Sequence, residues 1–338
     1  MNKDIMKPKI GITIGDINGI GPEIIIKMLS DDRIYALCQP IIYGSTKVLS
    51  YYKKMLKNEK FKYTHLKDWG RLAGKQTFVV NCIDEQPEIN VGKETDNGGK
   101  YAFESLNTAL KDWKDGKIDA LLTAPINKSL VAKHAGENFK GHTEYITTFC
   151  EKDESLMLLT SDRLTVGLAT NHIPVNQIAS SLKPNLITKK IMMLNKSLKE
   201  DFNIQKPKIA VLGLNPHAGD NGLLGSEEEN IIKPAIQDAN SRGILTFGPY
   251  PSDGFFGTLD YTAFDGILAM YHDQGLIPFK ALAFDEGVNF TSGLNLVRTS
   301  PDHGTAYNIA GKNIASEQSM RQALFLAIDI VKNRINNK

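Results

Sequence analysis

Apolar positions in this chain fall into short, β-branched runs separated by longer stretches of helical spacing, and the alternation continues from one end to the other. The runs KIGITIG (9–15), PIIYG (40–44), TFVVNCI (77–83), DALLTAP (119–125) and SLMLLTS (155–161) predict strands, as do LTVGLATNHI (164–173), KIAVLGL (208–214), LTFGPY (245–250) and GILAMYHD (266–273). Several are apolar at consecutive positions, as strands covered by helices on both faces must be. Between them, GKYAFESLNTALKDWKDG (99–116) brings Ala102, Leu106, Leu110 and Trp113 to one face and stops at Gly116. NLITKKIMMLNKSLKEDF (185–202) and EEENIIKPAIQDANSRG (227–243) follow the same spacing, and ASEQSMRQALFLAIDIVKNRINN (315–337) opens on Ser316 as a candidate N-cap. Alternating strands and helices predict an α/β protein with one mostly parallel sheet, or two. A length of 338 residues suits two domains. No repeat or low-complexity linker separates them, so one is expected to be discontinuous.

Composition narrows the function classes. Apolar residues make up 41% and charged residues 23%, with a net charge of +2. There is no long Lys/Arg run, which argues against a nucleic-acid partner. The alternating Lys111-Asp112-Trp113-Lys114-Asp115 reads as a solvated helix face. No stretch approaches the ~20 apolar residues of a membrane span, and the N-terminus enters its first strand without a signal-peptide core, so a soluble, cytoplasmic protein is expected. Cys38, Cys82 and Cys150 form no C-x-x-C pair and read as free thiols.

Ligands of open α/β sheets sit outside the carboxyl ends of the strands. Three predicted strands end there in a histidine: Asn171-His172-Ile173-Pro174, Asn215-Pro216-His217-Ala218-Gly219 and Tyr271-His272-Asp273-Gln274-Gly275. Each alone is an ordinary hydrogen-bonded loop residue; together they also match three neutral ligands for a catalytic divalent metal. GDINGIGPEI (15–24) is either a phosphate-cradling turn or a tight strand–helix turn, and it is not a G-x-G-x-x-G fingerprint. In GHTEYI (141–146), Thr143 is a ligand contact or a helix cap. GPYPSDGFF (248–256) carries Asp253. Lys280, Asn289 and Arg298 follow within 280–300, and Arg and Lys suit carboxylate or phosphate.

Taken together, GDINGIGPE, TAPINK (123–128), GHTEY, NHIPV, LNPHAG, GPYPSD, YHDQG and VNFTSGLNLVRTSPDHGTAYNIAGK (288–312) resemble the 4-hydroxythreonine-4-phosphate dehydrogenase family, in order from residue 9 to about 312. The resemblance implies a two-domain α/β/α fold like that of isocitrate and isopropylmalate dehydrogenases, without a Rossmann fingerprint. The domains are expected at 1–135 with 285–338 and at 136–284, with the active site in the cleft between them. His172, His217 and His272 match the family's ligands for one divalent ion (Zn, Mg or Co). His142, Thr143, Lys280, Asn289 and Arg298 match its substrate contacts. His303, Gly304, Thr305, Ala306 and Asn308 lie in a segment similar to the adenine-side loop of NAD- or NADP-dependent relatives. The family is a homodimer that shares its active sites, with one metal histidine from the partner.

The implied reaction is NAD(P)-linked oxidation of 4-phosphooxy-L-threonine to 2-amino-3-oxo-4-phosphooxybutanoate. That product decarboxylates to 3-amino-2-oxopropyl phosphate on the route to pyridoxal phosphate. The alternative is the same chemistry on another phosphorylated hydroxy acid such as 4-phosphoerythronate. Asp253 and Asp273 are the candidate general bases. The chain departs from the common family pattern at Ile17-Asn18, at Ile277-Pro278-Phe279, and at Asn295 and Pro301. A metal-dependent aldolase or hydrolase, or a metal- or phosphate-binding sensor, would use the same histidines without a nicotinamide.

Overall fold

The computed structural model describes residues 7–72, 74–83, 85–136 and 139–337. Residues 1–6, which belong to the segment read above as lacking a signal-peptide core, lie outside them. The described strands are β1 (Lys9–Thr13), β2 (Gln39–Gly44), β3 (Tyr63–His65), β4 (Thr77–Asn81), β5 (Ala120–Thr123) and β6 (Leu156–Thr160). They continue with β7 (Thr165–Leu168), β8 (Lys208–Leu212), β9 (Leu245–Tyr250), β10 (Gly266–Ala269), β11 (Val288–Ser292) and β12 (Val297–Pro301). The chain forms two compact units, Met1–Asp153 with Leu294–Lys332, and Glu154–Gly293 with Asn333–Lys338. These limits lie beyond the expected 135/136 and 284/285 for packing reasons. Phe139, Ile146 and Cys150 join the core of the first unit, and β11 pairs with β6 of the second.

In the first unit the strands run in the order β3-β4-β2-β1-β5-β12, all parallel. The chain leaves β1 for β2 on one side and later reaches β5 on the other, so the ends of β1 and β5 bound a topological switch point. Ile10 and Ile12 of β1 and Leu121 and Leu122 of β5 are fully buried. Each such side chain contributes about 1.5–3 kcal/mol. The helix Asp96–Lys114 packs on this sheet and begins three residues before the expected 99, because the Thr95 hydroxyl accepts from the amide of Gly98. Gly98 has to be glycine, since a Cβ there would lie 2.7 Å from Asp16 Oδ1. The expected solvated face at 111–115 holds for Lys111, Lys114 and Asp115, which are exposed, but not for Asp112. Asp112 is buried, continuing the Leu106–Ala109 face, and its carboxylate accepts from the Tyr43 hydroxyl (3.0 Å) and Lys117 Nζ (2.8 Å).

In the second unit the order is β11-β6-β7-β10-β8-β9, with β6 antiparallel to both neighbours and the remaining pairs parallel. Its core gathers Val166, Leu168, Leu212, Ile267, Leu276 and Phe279. The pattern at 227–243 forms a π turn, Glu228–Ile232, before the α-helix Lys233–Ser241. Pro234 has no N–H to return to the preceding turn, and a wider turn accommodates that loss. The three cysteines are free, and burial pushes the thiols of Cys38 and Cys82 up to about 12, which makes them poor nucleophiles. Among the described residues no helix is long and apolar enough to cross a membrane.

Candidate active site

In the first unit the chemistry collects at the switch point. Arg298 lies on β12 opposite Leu121 and is 3% exposed. Its Nε and Nη2 both donate to Thr123 Oγ1, at 3.1 and 2.7 Å, where β5 ends. Burial brings the guanidinium down to about 10, and the nearby Glu144 carboxylate opposes that shift. It remains a cation at neutral pH. His142 opens the helix His142–Phe149, and its Nε2 is buried without a hydrogen-bond partner among the described residues. Burial first, then the charges of Arg298 and Lys128, hold the imidazole well below the usual histidine range, so it is neutral. Lys128 begins the next helix after β5, behind Asn127, whose side chain caps the amides of Ser129 and Leu130. Two cations, a neutral imidazole with an orphaned nitrogen and one carboxylate make a group suited to holding an anion. Thr143 is half-buried in the same first turn. It is not the cap; that position belongs to Gly141, with no side-chain cap bond.

The GDINGIGPE turn resolves as structural. The amides of Asp16, Asn18, Gly19 and Ile20 donate to Pro125 O, Asp16 Oδ1, Asp16 O and Thr305 O, so this turn does not offer them to a phosphate. Its last partner lies in 303–312. Within that segment His303 Nδ1 lies 3.2 Å from Gly304 O, and Gly304 and Asn308 are exposed. Thr305 and Ala306 are half-buried.

In the second unit the three histidines stand at the ends of neighbouring parallel strands, β7, β10 and β8. The rings of His172 and His272 have centroids 5.7 Å apart. His272 Nδ1 is 2.7 Å from Asp273 Oδ1, a contact that orients the ring and leaves Nε2 to point elsewhere. Gln274 ties the strand ends together: its carbonyl accepts from Met270 N (2.6 Å), and its amide donates to Gly213 O (2.5 Å) and Ser252 Oγ (2.7 Å). His217 is not gathered with the other two. Among the described residues no three His, Cys, Asp or Glu side chains converge in a way that could hold a metal.

The loop that carries His217 is constrained by its own backbone. His217, Ala218, Gly219, Asp220 and Asn221 all have φ between 43° and 80°, a short left-handed turn that costs non-glycine residues strain. Glu228, 1% exposed, underlies it. Its carboxylate accepts from Leu214 N (2.7 Å), Asn215 N (2.7 Å) and Asn215 Nδ2 (2.9 Å), and a Cβ on Gly219 would sit 2.6 Å from Oε2. Nothing local in the sequence marks Glu228, and Thr123 and Gln274 are visible only inside TAPINK and YHDQG. Glu228→Ala strands three donors, and a loss of about 2–4 kcal/mol of stability is expected in urea unfolding. A change below about 0.5 kcal/mol would mean the turn holds itself.

The remaining candidates, Lys280, Asn289 and Asp253, all belong to the second unit. Lys280 is eight residues along the helix His272–Ala283, about 12 Å from its start. Asn289, whose buried Oδ1 has no hydrogen-bond partner among the described residues, is in register with Leu159, which is in register with Val166. It therefore stands level with the beginning of β7, whereas His172 lies beyond the end of that strand. Asp253 is exposed in the first turn of the short helix Ser252–Gly257.

The family model described as "Pyridoxal phosphate biosynthetic protein PdxA" matches residues 36–327. A 4-hydroxythreonine-4-phosphate dehydrogenase of Bacteroides thetaiotaomicron is 49% identical over 333 residues, covering 98% of this chain and 91% of that one. A provisionally named D-threonate 4-phosphate dehydrogenase of Oceanobacillus iheyensis is 42% identical, covering 97% and 99%. The crystal structure of a 4-hydroxythreonine-4-phosphate dehydrogenase from Klebsiella pneumoniae superposes with a TM-score of 0.85 at 34% identity, over 97% and 99% of the two chains. An isocitrate dehydrogenase from Methylococcus capsulatus, 12% identical with a TM-score of 0.50, shares the fold alone.

Proposed function

Since the chain belongs to the PdxA family, we propose that it oxidises the secondary alcohol of 4-phosphooxy-L-threonine with NAD or NADP and a divalent ion. The observation that carries this reading is the buried Arg298 beside the neutral His142, whose Nε2 has no partner among the described residues. Such a pair is stabilised by an incoming phosphate or carboxylate. Arg298 and Lys128 supply charge, His142 and Thr143 supply hydrogen bonds, and together they fix the substrate so that one carbon faces the nicotinamide. Positioning of this kind is a large share of what an enzyme contributes.

The side chains of the second unit fit a metal as an incomplete set. His172 and His272 converge, and Asp273 holds the outer nitrogen of His272. His217 from a second copy of the chain completes three ligands, which makes the active unit a homodimer with shared sites. Lys280 adds a cation and Asn289 an amide to the substrate's contacts. A divalent ion held by the histidines would supply Lewis acidity that lowers the pKa of the substrate alcohol. Asp273 is committed to His272, so Asp253 is the carboxylate left to take the alcohol proton, directly or through water. The donor set at His303, Gly304, Thr305, Ala306 and Asn308 (an imidazole, an amide and exposed backbone) fits the adenine side of NAD(P), which would supply the hydride acceptor. The β-keto acid product loses CO2 readily.

Absorbance at 340 nm tests this directly. With 4-phosphooxy-L-threonine and NAD or NADP, reduced cofactor is expected to accumulate, stop with a chelator and resume with a divalent ion. Absence of turnover with every ion and both nucleotides overturns the substrate. The Oceanobacillus relative favours one second reading, a phosphorylated hydroxy acid lacking the amine such as 4-phosphoerythronate or threonate 4-phosphate. The higher kcat/KM decides between them.

A further inference from the structure

Asp16 is fully buried and takes no part in the chemistry proposed above. Burying a carboxylate is costly, and here its own burial is the largest effect raising the acid's pKa. Its contacts show what it holds. The Tyr307 hydroxyl donates to Oδ2 at 2.6 Å, the length of a charge-assisted bond, and Oδ1 accepts from Asn18 N at 2.9 Å. Two residues before Tyr307, Thr305 O accepts from Ile20 N at 2.9 Å. Gly19 permits that approach, because a Cβ there would lie 2.8 Å from the same oxygen. Between the two anchors sits Ala306, left-handed at φ 44°, a conformation a non-glycine residue keeps only when its surroundings impose it. The turn is braced in its own right. Asn18 accepts from Asn90 N (2.7 Å) and Gly92 N (2.8 Å) and donates to Thr95 Oγ1 (2.8 Å), while Tyr52 OH donates to Ile17 O (2.6 Å).

We infer that Asp16 and Tyr307 are positioning residues whose hydrogen bond clamps segment 303–312 onto the end of β1 in the conformation that receives the nucleotide. The inference rests on the reading of that segment as the NAD(P) loop. A clamped loop binds without first having to be ordered, so breaking the clamp weakens nucleotide binding and leaves the phosphorylated substrate's contacts intact.

The test is Tyr307→Phe, which deletes one oxygen and keeps the ring. The KM for NAD(P) is expected to rise about tenfold, with kcat and the KM for the phosphorylated substrate within about twofold. Asp16→Asn, which replaces the buried carboxylate with a neutral amide of the same size, is expected to raise the same KM about threefold to tenfold and carries the test if Tyr307→Phe does not fold. Hydrogen exchange on the wild-type protein separates the two levels. If NAD(P) slows exchange within 303–312 but neither variant changes the nucleotide KM, the clamp is overturned and the loop reading stands. If NAD(P) leaves exchange there unchanged, the loop reading falls and the clamp with it.

Discussion

Replacing Arg298 with methionine is expected to lower kcat/KM roughly 10²–10⁴-fold while changing stability by no more than about 1 kcal/mol. Methionine keeps much of the buried volume and removes the charge. The desolvation that draws the guanidinium down to about 10 is a cost that the proposed anion would offset. Without the cation, the bound anion faces a buried site with one less opposite charge, and uncompensated buried charge costs about 3–5 kcal/mol. The loss should fall on both KM and kcat, because an ill-seated phosphate also misplaces the reacting carbon. Arg298→Lys should recover only part of the activity, since an ammonium on a flexible stem cannot reproduce the fork that spans Thr123 and an anion. Unchanged KM and kcat in Arg298→Met would remove this residue from the site.

The second large effect concerns the histidines. His172→Ala and His217→Ala, each as a homogeneous preparation, are expected to lose at least about 10³-fold in turnover and to bind no stoichiometric divalent ion. Co-expressed, the two variants are expected to recover about a quarter of wild-type activity, because half the dimers are mixed and each mixed dimer assembles one intact site of two. His172→Ala with His272→Ala should not recover, since those rings face one another within one chain and every mixed site then carries a defect. Metal content per chain gives a readout independent of turnover. No recovery in the first pairing would place the site within a single chain. Recovery in both pairings would assign His172 and His272 to different subunits of one site.

How much of this was readable beforehand depended on the kind of signal. Helices and buried strands announce themselves through local periodicity, so 208–214 and 266–273 were legible as strands with histidines just past them. β11 and β12 were not, because VNFTSGLNLVRTSP has no strong alternation and its strands are specified by neighbours at β6 and β5. Asp112 was misassigned for a related reason. Its charge pattern suggested solvent, yet its place on the Leu106–Ala109 face buried it against Tyr43. The glycines of GDINGIGPE left an anion cradle and a tight strand–helix turn both open, and the partners of its amides within the protein decide for the turn.

The sequence alone determined the α/β class, the family, and the residue types waiting at the strand ends, since each depends on short-range spacing or on a motif that is itself contiguous. Tertiary structure decided the partners. It set Thr123 under Arg298, Glu228 under the His217 turn and Asp273 on the His272 ring. It also placed Asn289 at the opposite end of β7 from His172. Those relations depend on strand order and register, which join positions as far apart as Asp16 and Tyr307. Hydrophobic period says that a strand exists, but only packing against its neighbours says what its end will face.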